Sequence, residues 1–269
     1  MAKSTRWKAA VAAAVGAAGI ATMVLGSWNL AGQAGASAQV RAVPRAADRK
    51  PDFSGIWQVM NTANWNILPH TASKDGPAGM GVVEGGELPY QPWAVQKRDE
   101  NYKNRLTADT DAKCFLPGVP RIMYEPFPFQ ISQTPAVVTL FFEYAHAARN
   151  VYMSTPHPPG PIEWWMGDSR GTWDGDTLVV DVVHLNNETW FDRAGNHHSE
   201  QLHVIERYTL LDADHMNYEA TIEDPKVFTR PWKMNMVFYR HREPNLQLLE
   251  YECYTFDDET RGNLAPPTR

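Results

Sequence analysis

The amino-acid sequence predicts a mostly β protein, an antiparallel meander closed as a barrel in a single domain, and three observations carry that expectation. β-branched and aromatic runs recur along the chain, with Gly, Pro, Asn and Asp clusters between them. Within the runs apolar and polar residues alternate, the period of a half-buried strand rather than the 3.6 of a helix. Only Trp93 to Leu106 offers a short charged helix. Strands that follow one another this closely pair with their sequence neighbours and close into a barrel or stack as a sandwich.

The first element is a leader. Lys3, Arg6 and Lys8 precede an Ala/Val/Gly-rich run from Ala9 to Gly26, and Ala36-Ser37-Ala38 supplies small residues at the two positions a signal peptidase reads. Residues 1–38 read as a signal peptide, which places the mature chain, from about Gln39, in the periplasm or outside the cell. The competing reading is a membrane anchor, because about 18 weakly apolar residues are marginally long enough to span a bilayer. No second run of that length follows, so no membrane partner is expected after cleavage. A polar linker covers 39–50, and 51–269 form the barrel-like domain.

The net charge of -6 becomes more negative without the basic leader, which argues against nucleic acid as a partner. The two cysteines, Cys114 and Cys253, read in an oxidising compartment as one disulfide tying the N-terminal half to the last strand. A loop that long is worth about 4–5 kcal/mol on chain-entropy grounds.

Within the domain, Pro51-Asp52-Phe53-Ser54-Gly55-Ile56-Trp57 begins the fold. A Gly ahead of a Trp on a first strand lets the backbone pass closely while the indole plugs one end of a barrel. This G-x-W resembles the lipocalin-type first strand, which implies a lipocalin-like, calycin-type barrel. From Pro69 to Pro92 the chain is rich in Gly and Pro without a sustained period and reads as a long N-terminal excursion or flap. The helix from Trp93 to Leu106 follows, then the loop Cys114 to Pro120. Strands are expected over Phe129–Gln133, Ala136–Tyr144, Arg149–Met153, Thr177–His184, Gln201–Leu211, Met216–Glu223, Trp232–His241 and Gln247–Phe256. Asp174-Gly175-Asp176 makes a hairpin turn between Thr172-Trp173 and Thr177-Leu178.

Chemistry concentrates between Trp164 and Arg207, which hold four Trp and four His. On the strand from Gln201, Glu206 shares a face with Leu202, Val204 and Tyr208, opposite His203, Ile205 and Arg207. If Glu206 points inward, burial raises its pKa and makes it a candidate acid, unless Arg207 or another cation reaches it. Glu206, His203, Arg207, Asp168 and His198 are the candidate acid, base and anion-steadying residues. Trp190, Asp192, His146, Tyr144 and Trp232 are candidate ligand contacts at the barrel mouth. His197, His198 and His203, with Asp192 or Glu206, could ligate a transition metal, but the spacing matches no standard motif. Otherwise no cofactor is expected. The plainer reading of each residue is a satisfied buried polar group or a rim ion pair.

The blocks PDFSGIWQ, CFLPGVPR, PFPFQISQTP, MGDSRGTWDGDTLVVD, TWFDRAGNHHSEQLHVIERY, IEDPKVFTRPW and LLEYEC resemble a large family of secreted bacterial β-rich proteins. The resemblance implies an extracytoplasmic protein of this layout and supplies no catalytic residues to map. Asn196-His197 stands where His-Pro is usual, which leaves His198 as the member of that pair that follows the pattern. The function expected from all of this is binding of a small apolar or aromatic molecule inside the barrel, with cofactor-free acid–base catalysis of a lyase, isomerase or hydrolase kind as its enzymatic form. The alternatives are a non-catalytic periplasmic carrier and an assembly or structural module.

Overall fold

The computed structural model describes residues 41–74 and 76–251. The expected signal peptide and Cys253, the expected partner of Cys114, lie outside the described residues. Among those described, nine strands form a closed barrel in sequence order. They are β1 Gly55–Val59, β2 Phe129–Gln133, β3 Val137–Phe142, β4 Ala148–Met153, β5 Asp168–Asp174, β6 Thr177–Val183, β7 His203–Leu210, β8 His215–Glu223 and β9 Trp232–Arg240, which pairs back to β1. One α-helix, α1 at Pro92–Ala108, stands between β1 and β2, with Pro92 at its first turn where a missing N–H costs nothing.

The meander is not wholly antiparallel. Every neighbouring pair is antiparallel except β4 and β5, which run parallel. The reason is arithmetic: strands alternating in direction around a ring must be even in number, so a ring of nine needs one parallel pair. The Pro-rich crossover of residues 154–167 meets that need by returning the chain to the end of the barrel where β4 began. Parallel neighbours require a connection of roughly a dozen residues or more. Two strand expectations also change. Asp168–Asp174 is a full strand although Arg170 and Gly171 interrupt its apolar alternation. Over Gln247–Phe256, where the sequence predicts a strand, the described part to Tyr251 is not strand, and the Tyr251 ring packs on Phe127 and Tyr144 at centroid distances of 4.6 and 5.5 Å.

Alternation decides the inside. On β9, Trp232, Met234, Met236 and Phe238 are buried, and on β7 the inward set is Val204, Glu206, Tyr208 and Leu210. Trp57 of β1 is fully buried, donates from Nε1 to the Phe53 carbonyl at 2.8 Å and carries the Arg240 guanidinium 4.2 Å over its ring. At Gly55, φ is 135° and a Cβ would collide with that guanidinium, so this position requires glycine.

Strand directions sort the connections between the two ends. The β2–β3, β5–β6 and β7–β8 turns lie at one end together with the lead-in, where Arg45 pairs with Asp176 at 2.6 Å. The β1–β2 segment, the β3–β4 turn, the β6–β7 loop and the β8–β9 turn all lie at the other. The β1–β2 segment closes this second end itself. Its short helical turn Arg121–Tyr124 is entirely buried, and Met123 Sδ lies 3.7 Å from the Tyr208 hydroxyl inside the barrel. No helix among the described residues is long and apolar enough to cross a membrane.

Candidate functional site

The barrel interior is packed, not hollow. A void among Phe53, Ile131, Leu140, Val151, Leu178 and Tyr208 measures about 10 Å³, at the lower limit of what one water occupies. The inward Glu206 is sealed there with a cation, but the cation is Arg149 of β4 rather than Arg207. Glu206 accepts from Arg149 Nη1 at 3.1 Å and from Nη2, and from the hydroxyls of Tyr208 at 2.9 Å and Tyr218 at 2.8 Å. Arg149 Nε also donates to the Ser169 hydroxyl at 3.0 Å. Each buried polar group in this knot has partners, which is how an apolar barrel tolerates an ion pair.

The remaining predicted residues scatter. His203 and Arg207 point outward from β7, on the opposite face to Glu206, so the three form no common acid–base set. Arg207 pairs with Asp174 at 2.7 Å. His203 meets Asp181 through Nε2 at 2.9 Å and Glu223 through Nδ1 at 3.4 Å. Asp181 also faces His157 Nε2 at 3.3 Å, and His157 Nδ1 meets Asp168 at 2.8 Å. Asp168 and His203 are thus linked through a surface chain of groups on the outer wall. Despite the desolvation of its burial, Asp168 is held below the usual carboxylate range by hydrogen bonds from Arg170 and His157.

His198 is buried, with Nε2 on the Thr189 hydroxyl at 2.7 Å and Nδ1 on the Ser199 carbonyl at 3.0 Å. Its neighbour His197 packs against Tyr90 and Trp93, and burial followed by the proximity of His198 pushes it down to about 4. His198 and His203 have separate partners, neither ring nitrogen of His197 meets one among the described residues, and among those residues no group of three or more His, Cys, Asp or Glu could hold a metal ion. Trp190 and Trp232 are buried, and Trp232 packs in the core on Phe191 and Phe228. His146 is exposed on the β3–β4 turn, whereas Tyr144 beside it is buried and donates to Asp111.

A large cavity stands outside the barrel, at the end closed by the β1–β2 segment. It is a cleft of about 1060 Å³ lined by Trp65, Asn66, His70, Tyr102, Arg105, Asp109, Asp111 and Arg193, among others. One wall is a flap in which His70 pairs with Gly79 and Ser73 with Gly76 in short antiparallel bridges. A second wall is the C-terminal turn of α1. The floor is the Asp109–Lys113 turn with the β6–β7 loop, which delivers Arg193.

Beneath the floor, Arg121 is 1% exposed and fully engaged: it meets Asp109 at 2.6 and 3.1 Å, Asp111 at 3.3 Å and Glu125 at 2.9 Å. Arg193 donates from Nε at 3.1 Å and Nη2 at 2.7 Å to the same Asp111 oxygen, and its guanidinium lies 4.5 Å over the Trp65 ring. Burial works against ionisation of Asp111, yet Arg121 and Arg193 hold it below the carboxylate range. Glu125 is pushed up to about 8 by burial and then by the Asp111 charge, and its Oε2 meets no partner among the described residues. The floor therefore sets three carboxyl groups, Asp109, Asp111 and Glu125, against two guanidiniums.

Asp192, buried and pushed up to about 6 by desolvation, ties the walls together. It accepts from Ile67 N at 2.8 Å, Asn196 N at 3.2 Å and Asn196 Nδ2 at 2.6 Å. It is a predicted residue that acts on the cleft from behind. Sequence reading missed the groups that line the cleft, although Arg193 stands inside the segment singled out for its chemistry. A further signal was available: three acids and an arginine, Asp109, Asp111, Arg121 and Glu125, fall between the expected helix ending at Leu106 and the expected strand starting at Phe129. No protein-family model, no curated protein and no solved structure matches the chain.

Proposed function

We propose that this protein is an extracytoplasmic binder of a small aromatic molecule, and that its ligand site is the cleft beside the barrel rather than the barrel interior. The observation that carries the reading is the contrast in space: about 1060 Å³ in the cleft against about 10 Å³ inside. Small-molecule sites run to roughly 300–1,000 Å³, with apolar walls and a few convergent polar groups. Trp65 and Tyr102 supply aromatic wall, and His70, Asp111 and Arg193 supply the polar groups. The basic and apolar leader pattern at 1–38, the presence of two cysteines, Cys114 and Cys253, and the blocks that resemble secreted bacterial proteins support the extracytoplasmic part. The G-x-W strand supports a lipocalin-like lineage.

Acid–base chemistry in the cleft is a second reading, favoured by one observation. His70 Nδ1 is anchored on the Leu68 carbonyl at 2.7 Å, and among the described residues its Nε2, screened from solvent, meets no partner. An imidazole fixed at one nitrogen and unpaired at the other is arranged as a general base.

Titration with 2-naphthol, read by tryptophan fluorescence, tests the location. Ala112 lines the cleft on an exposed turn, so Ala112→Trp fills it without disturbing the core. Saturable binding is expected in the wild type and in Glu206→Gln, and at least a tenfold loss in Ala112→Trp. Unchanged binding in Ala112→Trp, or a loss confined to folded Glu206→Gln, would return the site to the barrel interior.

A further inference from the structure

The cleft carries enough detail to specify a ligand class, on the reading that it is the ligand site. We propose that the cleft selects an aromatic carboxylate, with the Arg193 guanidinium as the group that recognises the anion and the Trp65 side of the cleft taking the ring.

Arg193 is held along one edge of its guanidinium. Nε and Nη2 both point at Asp111, which leaves the Nη1 edge for other partners. The side chain is 38% exposed and lines the cleft. Stacking on Trp65 at 4.5 Å and the double contact with Asp111 fix the plane of the fork, so little side-chain entropy is lost when a ligand arrives. A planar carboxylate is the partner such a fork matches best.

The other guanidinium of the floor is not available to a ligand. Arg121 is buried and spent on Asp109, Asp111 and Glu125. Arg105, whose guanidinium lies 4.1 Å over the Tyr102 ring, stands at the rim. Of the two guanidiniums at the floor, Arg193 is therefore the one that faces a ligand. On the flap side, His70 Nε2 is an acceptor that meets no partner among the described residues, which favours a ring that also carries a hydroxyl or N–H donor.

The test is calorimetric titration of the protein with benzoate, benzyl alcohol and benzylamine, which share a ring and differ in charge. Benzoate is expected to bind at least tenfold more tightly than benzyl alcohol, with benzylamine weakest. Arg193→Gln should remove that preference, so that benzoate and benzyl alcohol bind alike. Arg193→Lys, which keeps the charge and the contact with Asp111, should retain part of it and covers the case in which the Gln variant does not fold. Equal affinity for benzoate and benzyl alcohol, a preference for benzylamine, or a benzoate preference that survives in folded Arg193→Gln overturns the proposal while leaving the cleft as the ligand site. Failure of all three probes and of 2-naphthol overturns the site as well.

Discussion

Two buried carboxylates of the same type, Glu206 and Glu125, are treated in opposite ways. Glu206 has an arginine and two tyrosine hydroxyls to itself inside the barrel, so its role is structural; deleting one partner of such a pair costs about 3–5 kcal/mol. Glu125 shares Arg121 with Asp109 and Asp111, and it is the acid left neutral, pushed up to about 8. The folded protein thus keeps a proton that the unfolded chain releases near the ordinary carboxylate pKa of about 4.3. Stability falls as pH rises through that window and levels off above about 8. Asp192 adds the same sign below about 6, and His197, lowered to about 4, the opposite sign up to its unfolded value near 6.5. Between about pH 6.5 and 8 Glu125 is left to set the slope, at most about 1.4 kcal/mol per pH unit. Urea unfolding at several pH values should show stability declining across that range in the wild type and staying flat in Glu125→Gln. An equal decline in both would show that Glu125 is ionised at neutral pH.

The elements that make the cleft are connections, and their seating depends on close approaches that admit no side chain. The β6–β7 loop meets α1 at Gly195, where φ is 86° and an added Cβ would lie 2.6 Å from the Arg98 carbonyl and 2.7 Å from the Tyr102 nitrogen. Asn101 Nδ2 fastens the contact with a 3.2 Å bond to the Gly195 carbonyl. Gly175, in the β5–β6 turn at the far end, has a comparable φ of 60° but nothing within 4 Å of an added Cβ. A non-glycine residue in such a conformation costs about 1–3 kcal/mol. Gly175→Ala should therefore lose that amount with ligand affinity intact. Gly195→Ala should lose more and weaken benzoate binding several-fold, because α1 supplies Tyr102 and Arg105 to the cleft. Equal stability losses with equal affinities would mean that α1 is not held by this approach.

For the whole molecule, what was legible in the sequence followed period two. The alternation of Trp232, Met234, Met236 and Phe238 placed β9 and its inner face, and the G-x-W at Gly55–Trp57 placed the start of the barrel. β7 was ambiguous, since Glu206 and Arg207 interrupt both faces equally; only pairing with β6 and β8 settles which points inward. The parallel β4–β5 pair was hidden because strand direction is a property of the closed ring and not of any one segment. The site was missed for a related reason. Trp65, His70, Asp111 and Arg193 come from separate connections that share only an end of the barrel, and no spacing along the chain records that meeting.

The central claim is that ligand is held outside the barrel, in the cleft built by its connections. Hydrogen–deuterium exchange of the protein with and without saturating benzoate tests it most directly. Slowed exchange in residues 62–82, 102–112 and 191–196, with β2 to β4 and β7 unchanged, is the predicted result. Protection along those inward-facing strands, protection centred on the outer-wall residues His157, Asp168, Asp181 and His203, or no protection anywhere would contradict it.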